Sequence, residues 1–538
     1  MNKYIFVSGG VCSSLGKGVT ASSLGALLEG RGLNVCMVKC DPYINVNAGT
    51  MSPYQHGEAY VTDDGAETDL DLGNYARFTS APLSRANSIT TGQVYNSVIH
   101  KEREGCFLGR CVQVIPHITD EIKNRIIAAA RENPDTDIII IEIGGTVGDI
   151  ESIPFLEAAR QMIHGLGKSN ALSVHLTLIP EVGGGELKTK PTQHSVKAMQ
   201  EMGIQPDILI CRAPDMLDEE TRKKIALFCN VDAEAVFTCY NIRSMIYEIP
   251  LMFFNQKLDQ VVLRKLGVES RHANLRQWHS MMERYKAQEG LVRIGIVGKY
   301  MELHDAYKSV YEALFHGGLD NGIKVEFVKI DSAMLEEEEK AKEILKNRTV
   351  DGILVPGSYD DTGVNGMVNA SRWARENKIP YFGICLGMQV MVIDWGRNVL
   401  GWEDADSTEF SKDTKHPVFS LPEDQKNVKN YDAAARLGKF DGAAERNTLI
   451  HTAYGKEHFS ERHRNRYEFS NMYRNDMTES GLKLTAFTPD GALVESVEWP
   501  DHPWGLGVLF HPEFKSKPTM AHPLFRNFIA AARKKNEN

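Results

Sequence analysis

Nowhere in this chain are two cysteines spaced Cys-x-x-Cys, although 538 residues include 9 of them. An odd, scattered set excludes a complete disulfide framework and the usual paired spacing of a structural zinc site; it fits free thiols in a reducing compartment. No apolar run approaches the ~18 residues of a membrane span, and the N-terminus enters a strand pattern rather than a secretory apolar core. A cytoplasmic protein without a membrane partner is therefore expected. Positive charge is also short, with 61 Lys and Arg against 71 Asp and Glu for a formal net charge of −10. A general nucleic-acid binder needs basic faces that replace phosphate counterions, so that class is excluded. A nucleotide pocket needs only a local cluster of cations and amides. At this length one core does not suffice, and two or three domains are expected.

What is present starts at residues 7–20, Val-Ser-Gly-Gly-Val-Cys-Ser-Ser-Leu-Gly-Lys-Gly-Val-Thr, fed by the apolar Tyr4, Ile5 and Phe6. Strand, glycine turn and helix start aim backbone N–H groups and the positive end of a helix at one point, and Lys17 adds a mobile cation. The ordinary phosphate loop has four residues before its Gly-Lys pair and a Ser or Thr after it. Here five residues separate Gly10 from Gly16, and Gly18 stands where the hydroxyl belongs. On this stretch alone, polyphosphate binding and a structural βα turn both stay open. Leu24, Leu27 and Leu28 continue at helical spacing to Gly30 and Gly32, and a second strand pattern at 35–38 makes a βαβ start. Such a start implies a parallel sheet with its ligand at the carboxyl edge.

Asp63, Asp64, Glu67, Asp69 and Asp71 then cluster. They form either a solvated acidic loop or the source of a carboxylate for a Mg²⁺ that the phosphate loop does not itself ligate. Glu142 ends an isoleucine run at 138–141, the sheet edge where metal-holding acids or capping groups stand. The glycine-rich 144–151 and the donor-dense 188–195 follow. In the latter, Lys188 and Lys190 flank Thr189, as a grip on a second triphosphate or as a surface loop. Strand patterns at 208–211 and 236–240 agree with a doubly wound sheet.

Between 267 and 290 the pattern turns polar and helical, and 292–297 restarts a buried strand. We expect a domain at 1–267, a polar helical linker at 268–290 and a domain at 291–538. The fold class is α/β: two doubly wound Rossmann-like domains with mainly parallel sheets. In the second, a strand at 381–384 runs into Gly383-Ile384-Cys385-Leu386-Gly387-Met388-Gln389. Glycines two residues either side of a cysteine at a strand-to-helix junction suit a nucleophile elbow, with a helix amide available to an oxyanion. Near the C-terminus a strand at 506–510 ends in His511-Pro512-Glu513, an imidazole beside an orienting carboxylate. Either motif alone reads as core; the two together point to nucleophilic catalysis.

The cysteine motif, followed downstream by Phe510-His511-Pro512-Glu513-Phe514, resembles triad-class glutamine amidotransferase domains. Asp41-Pro42-Tyr43-Ile44-Asn45-Val46, with 49–53, 64–73, 142–151 and 188–195, resembles the CTP synthase family over essentially the whole chain. The resemblance implies a ligase that phosphorylates uracil O4 of UTP with ATP and displaces the phosphate with ammonia cut from L-glutamine. Ser14, Leu15, Gly16, Lys17, Gly18 and Val19 would hold ATP, with Asp71 and Glu142 on Mg²⁺ and Tyr240, Asn241 and Ile242 near the adenine. Ser13, Lys188, Thr189, Lys190, Pro191, Thr192, Gln193 and Lys224 would hold UTP. The product CTP, as feedback inhibitor, would share that region through Asp149, Ile150 and Glu151. Glutamine would lie against Gly357, Ser358, Leu386, Gly387, Met388, Gln389, Glu409 and Arg466; Cys385 would attack it, His511 would shuttle protons and Glu513 would orient the imidazole. GTP activation, a homotetramer and filaments follow from the resemblance alone.

Two stretches depart from the family pattern. Where Pro-Gly-Gly-Phe-Gly followed by arginine and glycine is usual, this chain has Pro356-Gly357-Ser358-Tyr359-Asp360-Asp361-Thr362-Gly363; Ala433-Ala434-Ala435-Arg436-Leu437-Gly438 replaces Gly-Thr-Met-Arg-Leu-Gly. Altered glutamine use or GTP activation, with ammonia-dependent synthesis intact, is the expectation. The rivals are a cobyric-acid-type amide ligase with a fused glutaminase domain and a non-catalytic, filament-forming relative. The stretches 41–53 and 188–195 weigh against the first, and the retained Lys17, Cys385, His511 and Glu513 against the second.

Overall fold

The computed structural model describes residues 2–242, 244–269, 271–358, 362–422 and 435–537. The altered positions 359–361 and 433–434 lie outside the described residues. The chain forms two compact units, one of Met1–Thr50 with Asp71–Met282 and one of Met51–Leu70 with Glu283–Asn538.

The first unit is built on a seven-stranded sheet. Its order is Val236–Tyr240, Ile208–Ala213, Ala171–Leu178, Lys3–Gly9, Ile138–Ile143, Val35–Asp41, Ser88–Thr90, and every ladder is parallel. Ile138–Ile143 is buried along its whole length, as a strand covered on both faces must be, and reads as an apolar run broken by Glu142 alone. The first strand lies mid-sheet with later strands to either side. Its carboxyl end therefore opens the crevice where such sheets take ligands.

The second unit has a nine-stranded sheet in the order Lys324–Asp331, Leu291–Gly298, Gly352–Val355, Tyr381–Ile384, Gly505–Val508, Val494–Glu498, Lys483–Phe487, Arg436–Ala444, His458–Asn465. The ladders are parallel as far as Gly505–Val508 and antiparallel beyond it. The parallel half is the doubly wound core expected; the antiparallel half ends in an edge strand. Residues 51–70 precede the boundary in sequence yet belong to this unit. They are held by long-range polar contacts: Ser309 N donates to Glu58 Oε2 at 2.8 Å, and Arg462 and Arg464 pair with Asp63 and Glu67. The stretch read as a linker contains the helix Arg276–Lys286. Its first turns pack into the first unit through Trp278, 5.7 Å from the Phe78 ring, and Arg284 pairs with Asp320 in the second.

Candidate functional site

In the first unit the chain leaves Lys3–Gly9 through a turn in which Val11, Ser14 and Gly16 take φ of 87°, 59° and 93°. Lys17 then opens the helix Lys17–Gly30. Lys17 Nζ donates to Gly145 O at 2.6 Å, and burial holds its pKa below the ordinary lysine value. The turn at 144–151 is fastened to the same place, because Val147 N donates to Gly9 O at 2.9 Å. Ser13 and Ser14 are exposed and Leu15 is buried.

Gly18 explains the missing hydroxyl. A Cβ at this position would lie 2.2 Å from Asp71 Oδ1 and 3.4 Å from Glu142 Oε2, so a carboxylate occupies the space a side chain would need. Lys39, which the sequence reading passed over, stands among these acids. Its Nζ is 3.0 Å from Glu142 Oε1, 3.7 Å from Asp41 Oδ1, and donates to Asp71. The Tyr75 hydroxyl donates to Glu142. Burial raises the Glu142 pKa, and Asp71 adds to the effect. Burial acts the same way on Asp71, but Lys39 outweighs it and the net shift is down. Burial likewise lifts Asp41 to about 6. The readable signal for Lys39 was a lysine inside the apolar run Val35–Asp41, since a charge buried in a strand has to be paired.

Of the acidic cluster at 63–71, only Asp71 joins Glu142; Asp63 and Glu67 pair with arginines of the second unit. Among the described residues no three His, Cys, Asp or Glu side chains converge as a self-sufficient metal site. Two carboxylates beside a glycine turn and a lysine are a donor set that Mg²⁺ can use when phosphate oxygens and water supply its remaining ligands.

A second residue not foreseen is His175. Its Nδ1 is 2.9 Å from Ser8 Oγ and its Nε2 is 2.8 Å from Ser195 Oγ, tying the phosphate-loop strand to the helix Lys190–Glu201. Burial, then the Lys17 charge, pushes its pKa down to about 3, so the ring is neutral. Around that helix start, Lys188 pairs with Glu186 at 2.5 Å and Lys224 acts on the same carboxylate. Pro191 stands in the first turn, and Thr189 Oγ1 accepts from Gln193 Nε2 at 3.1 Å. The Thr192 hydroxyl is taken up by Thr177 and Leu178 at 3.0 and 3.1 Å. Asp149 Oδ2 accepts from Thr146 N at 3.3 Å, with Ile150 and Glu151 exposed on the turn that follows. Tyr240, Asn241 and Ile242 close the outermost strand, where Asn241 N donates to Ala213 O at 3.2 Å.

In the second unit Cys385 joins Tyr381–Ile384 to the helix Leu386–Asn398 with φ 53° and ψ −102°. Its N–H donates to Val508 O at 2.8 Å. A Cβ on Gly387 would fall 2.1 Å from Val355 O, so only glycine permits the turn to pack this tightly. His511 Nδ1 lies 2.7 Å from Glu513 Oε1, and the imidazole stacks on Phe514 with centroids 5.3 Å apart. Its Nε2 is buried, without a hydrogen bond of ordinary geometry, and faces the cysteine. One Cβ placed on Gly357 would be 3.5 Å from His511 Nε2 and 3.3 Å from Cys385 Cβ. Burial pushes the His511 pKa down, but the Glu513 carboxylate and the Cys385 sulfur outweigh it and raise the imidazole to about 10. Ser358 lies beside the Tyr307 hydroxyl. Leu386, Gly387 and Met388 are buried in the first turn of the helix, and Gln389 Oε1 is buried without a partner among the described residues. Glu409 and Arg466 share a neighbourhood, since both act on the Tyr467 phenol. Two backbone contacts without a signal in the sequence complete the centre: Arg462 O accepts from His511 N at 2.7 Å, and Arg464 O lies 3.9 Å from Cys385 Sγ.

Residues 3–268 match the family model described as CTP synthase N-terminus, and residues 302–531 match glutamine amidotransferase class-I. The chain is 54% identical over 538 residues to the CTP synthase of Carboxydothermus hydrogenoformans, covering 100% of both chains. It is 53% identical over 531 residues to the CTP synthase of Clostridium acetobutylicum, covering 98% of each. A solved structure described as the glutaminase domain of Trypanosoma brucei CTPS with bound acivicin is 38% identical, with a TM-score of 0.43 over 45% of this chain and 94% of that one.

Proposed function

The chain belongs to the CTP synthase family, and on that premise we propose how its residues divide the reaction. The enzyme is a ligase that uses ATP to aminate UTP to CTP with nitrogen from glutamine. Glutamine is opened in the second unit. Cys385 Sγ attacks the side-chain carboxamide carbon, His511 delivers its proton to the departing ammonia, and Glu513 holds the imidazole through Nδ1. Water, deprotonated by the same imidazole, then hydrolyses the thioester to glutamate and frees the thiol. The observation that carries this reading is Cys385 at a strained elbow, facing a buried His511 Nε2 whose other nitrogen is fixed by Glu513 at 2.7 Å.

In the first unit the γ-phosphoryl group of ATP passes to uracil O4, turning a poor leaving group into phosphate, and ammonia then displaces it at C4. Lys17 and the amides of 13–19 balance the charge on the transferring group. Asp71 and Glu142 would hold Mg²⁺ against the phosphates, where it supplies further neutralisation of that charge. The lysines at 188, 190 and 224 grip the UTP triphosphate, and the turn carrying Asp149, Ile150 and Glu151 takes part in CTP inhibition. GTP activation, a homotetramer and a cytoplasmic setting belong to the same proposal.

Cys385→Ala tests the division. CTP formation from ammonium chloride should persist while glutamine hydrolysis and glutamine-dependent CTP formation disappear; glutamine turnover surviving the substitution would reject it. A second reading, weakened glutamine use, rests on Ser358 standing next to the Gly357 that packs on the thiol and imidazole. Rates with glutamine, with and without GTP, set against rates with ammonium chloride decide it, and full GTP-stimulated glutamine activity would reject it.

A further inference from the structure

The Cys385 and His511 geometry depends on the outermost strand of a sheet. His458–Asn465 is the last strand of the nine-stranded sheet, and among the described residues its one ladder is with Arg436–Ala444. An edge strand offers unpaired backbone groups and frays unless something covers it. Yet its Arg462 carbonyl takes the His511 N–H at 2.7 Å, and its Arg464 carbonyl lies 3.9 Å from Cys385 Sγ. A shift of this strand is therefore felt at both the imidazole and the sulfur.

Side chains leave the strand alternately to two sides. Inward, Glu461, His463 and Asn465 are buried against His522 at 3.0 Å, Glu495 at 3.1 Å and Glu468 at 2.8 Å. Outward, Arg462 and Arg464 meet residues 51–70, which lie along that face as a strap. Arg464 Nε is 2.6 Å from Glu67 Oε1, with the two side chains only 15% and 3% exposed. A pair that dry is poorly screened, so neutralising one partner weakens the hold on the other. Arg462 Nε is 2.6 Å from Asp63 Oδ1, and its Nη1 is 2.5 Å from the Tyr60 hydroxyl. Tyr60 donates to Phe514 O at 3.0 Å and meets the Phe514 ring edge-on at 5.2 Å; Phe514 is the ring on which His511 stacks. At residues 63–65 the strap lies directly against the neighbouring strand Arg436–Ala444. Lys439 N donates to Asp63 O at 2.8 Å, and a Cβ on Gly438 would fall 2.6 Å from Gly65 N.

We propose that residues 51–70 act as a positioning strap for the glutaminase centre: Glu67 through Arg464 sets the sulfur side, and Tyr60 through Arg462 and Phe514 sets the imidazole side. The inference rests on Cys385 and His511 being the glutaminase pair. Glu67 and Tyr60 touch neither substrate nor reacting atom, so they are positioning residues.

The test uses the full chain with Glu67→Gln, Tyr60→Phe and the charge swap Glu67→Arg with Arg464→Glu. For each, kcat and KM for glutamine hydrolysis, the pH profile of iodoacetamide labelling at the Cys385 peptide, and ammonia-dependent CTP formation are measured. Loss of registration by a fraction of an ångström to an ångström costs about 10- to 100-fold in kcat. Glu67→Gln should show that loss with KM within about twofold. The labelling profile should shift, ammonia-dependent synthesis should hold, and the swap should recover part of the loss. Thermally stable Glu67→Gln and Tyr60→Phe enzymes with unchanged hydrolysis and labelling would overturn the proposal, as would an equal fall in ammonia-dependent synthesis. Should Glu67→Gln not fold, Tyr60→Phe, which removes one hydroxyl, decides by the same readouts. Cys385→Ala that still hydrolyses glutamine would instead reject the pair itself.

Discussion

Restoring the hydroxyl that an ordinary phosphate loop carries should damage this one. In Gly18→Ser the new Cβ falls 2.2 Å from Asp71 Oδ1, and an ordinary contact needs 3.4 Å, so the carboxylate must retreat by about 1.2 Å. It is not free to swing, because Lys39 Nζ donates to it and Asn74 Nδ2 reaches its Oδ1 at 3.3 Å. A displacement of about 1 Å in a group that orients a reacting phosphate costs on the order of 100-fold in rate, or about 2.7 kcal/mol of transition-state stabilisation. Folding should barely change. Position 18 lies in the first turn of Lys17–Gly30, where replacing glycine gains roughly 0.5 kcal/mol of helix propensity against the local crowding. The assay is ammonia-dependent CTP formation at saturating ATP, with glutamine hydrolysis as the internal control for a folded second unit. A Gly18→Ser enzyme that keeps more than half its kcat would refute the reasoning, for it would mean that Asp71 either moves freely or does not serve the phosphoryl transfer.

Other substitutions probe the groups the sheet buries. Lys39→Met leaves Asp71 and Glu142 without their shared cation; an isosteric apolar stem should cost about 3–5 kcal/mol in urea unfolding of the first unit, and a stable variant would contradict the pairing. His175 has its pKa held down to about 3. The unfolded chain therefore binds a proton that the folded one refuses. Its share of stability is complete above the ordinary histidine value and drains away as pH falls from there towards 3, at up to about 1.4 kcal/mol per pH unit. His175→Gln should flatten the fall in melting temperature across that window. The His511 imidazole, raised to about 10, should keep its proton through pH 9 in the resting enzyme. Iodoacetamide labelling of Cys385 followed against pH should show this, and in Glu513→Gln the alkaline change should move down towards the ordinary imidazole range.

The elements that could be read from sequence were those whose partners are near in the chain or whose chemistry is written in a short run. The turn at 7–20, the elbow at 383–389 and His511-Pro512-Glu513 each sit on one strand end, so local pattern placed them. Thr192 shows the limit: it stands in a donor-rich run, and the sequence does not carry the packing that gives its hydroxyl to Thr177 and Leu178. His175 and Lys39 were silent for the opposite reason. Each is one polar residue in a buried strand, and its meaning depends on Ser195 and Glu142, 20 and 103 residues further along.

Residue order by itself determined two α/β domains, the glycine turn at 7–20 with no hydroxyl at position 18, the cysteine elbow and, through long specific stretches, the family. Only the tertiary structure decided why Gly18 must be glycine, that Lys39 stands among the carboxylates, and that residues 51–70 leave the domain they precede to cover an edge strand of the other. These are matters of which distant charges and backbone edges meet. Periodicity registers which face of an element is buried; it carries no information about what lies opposite that face.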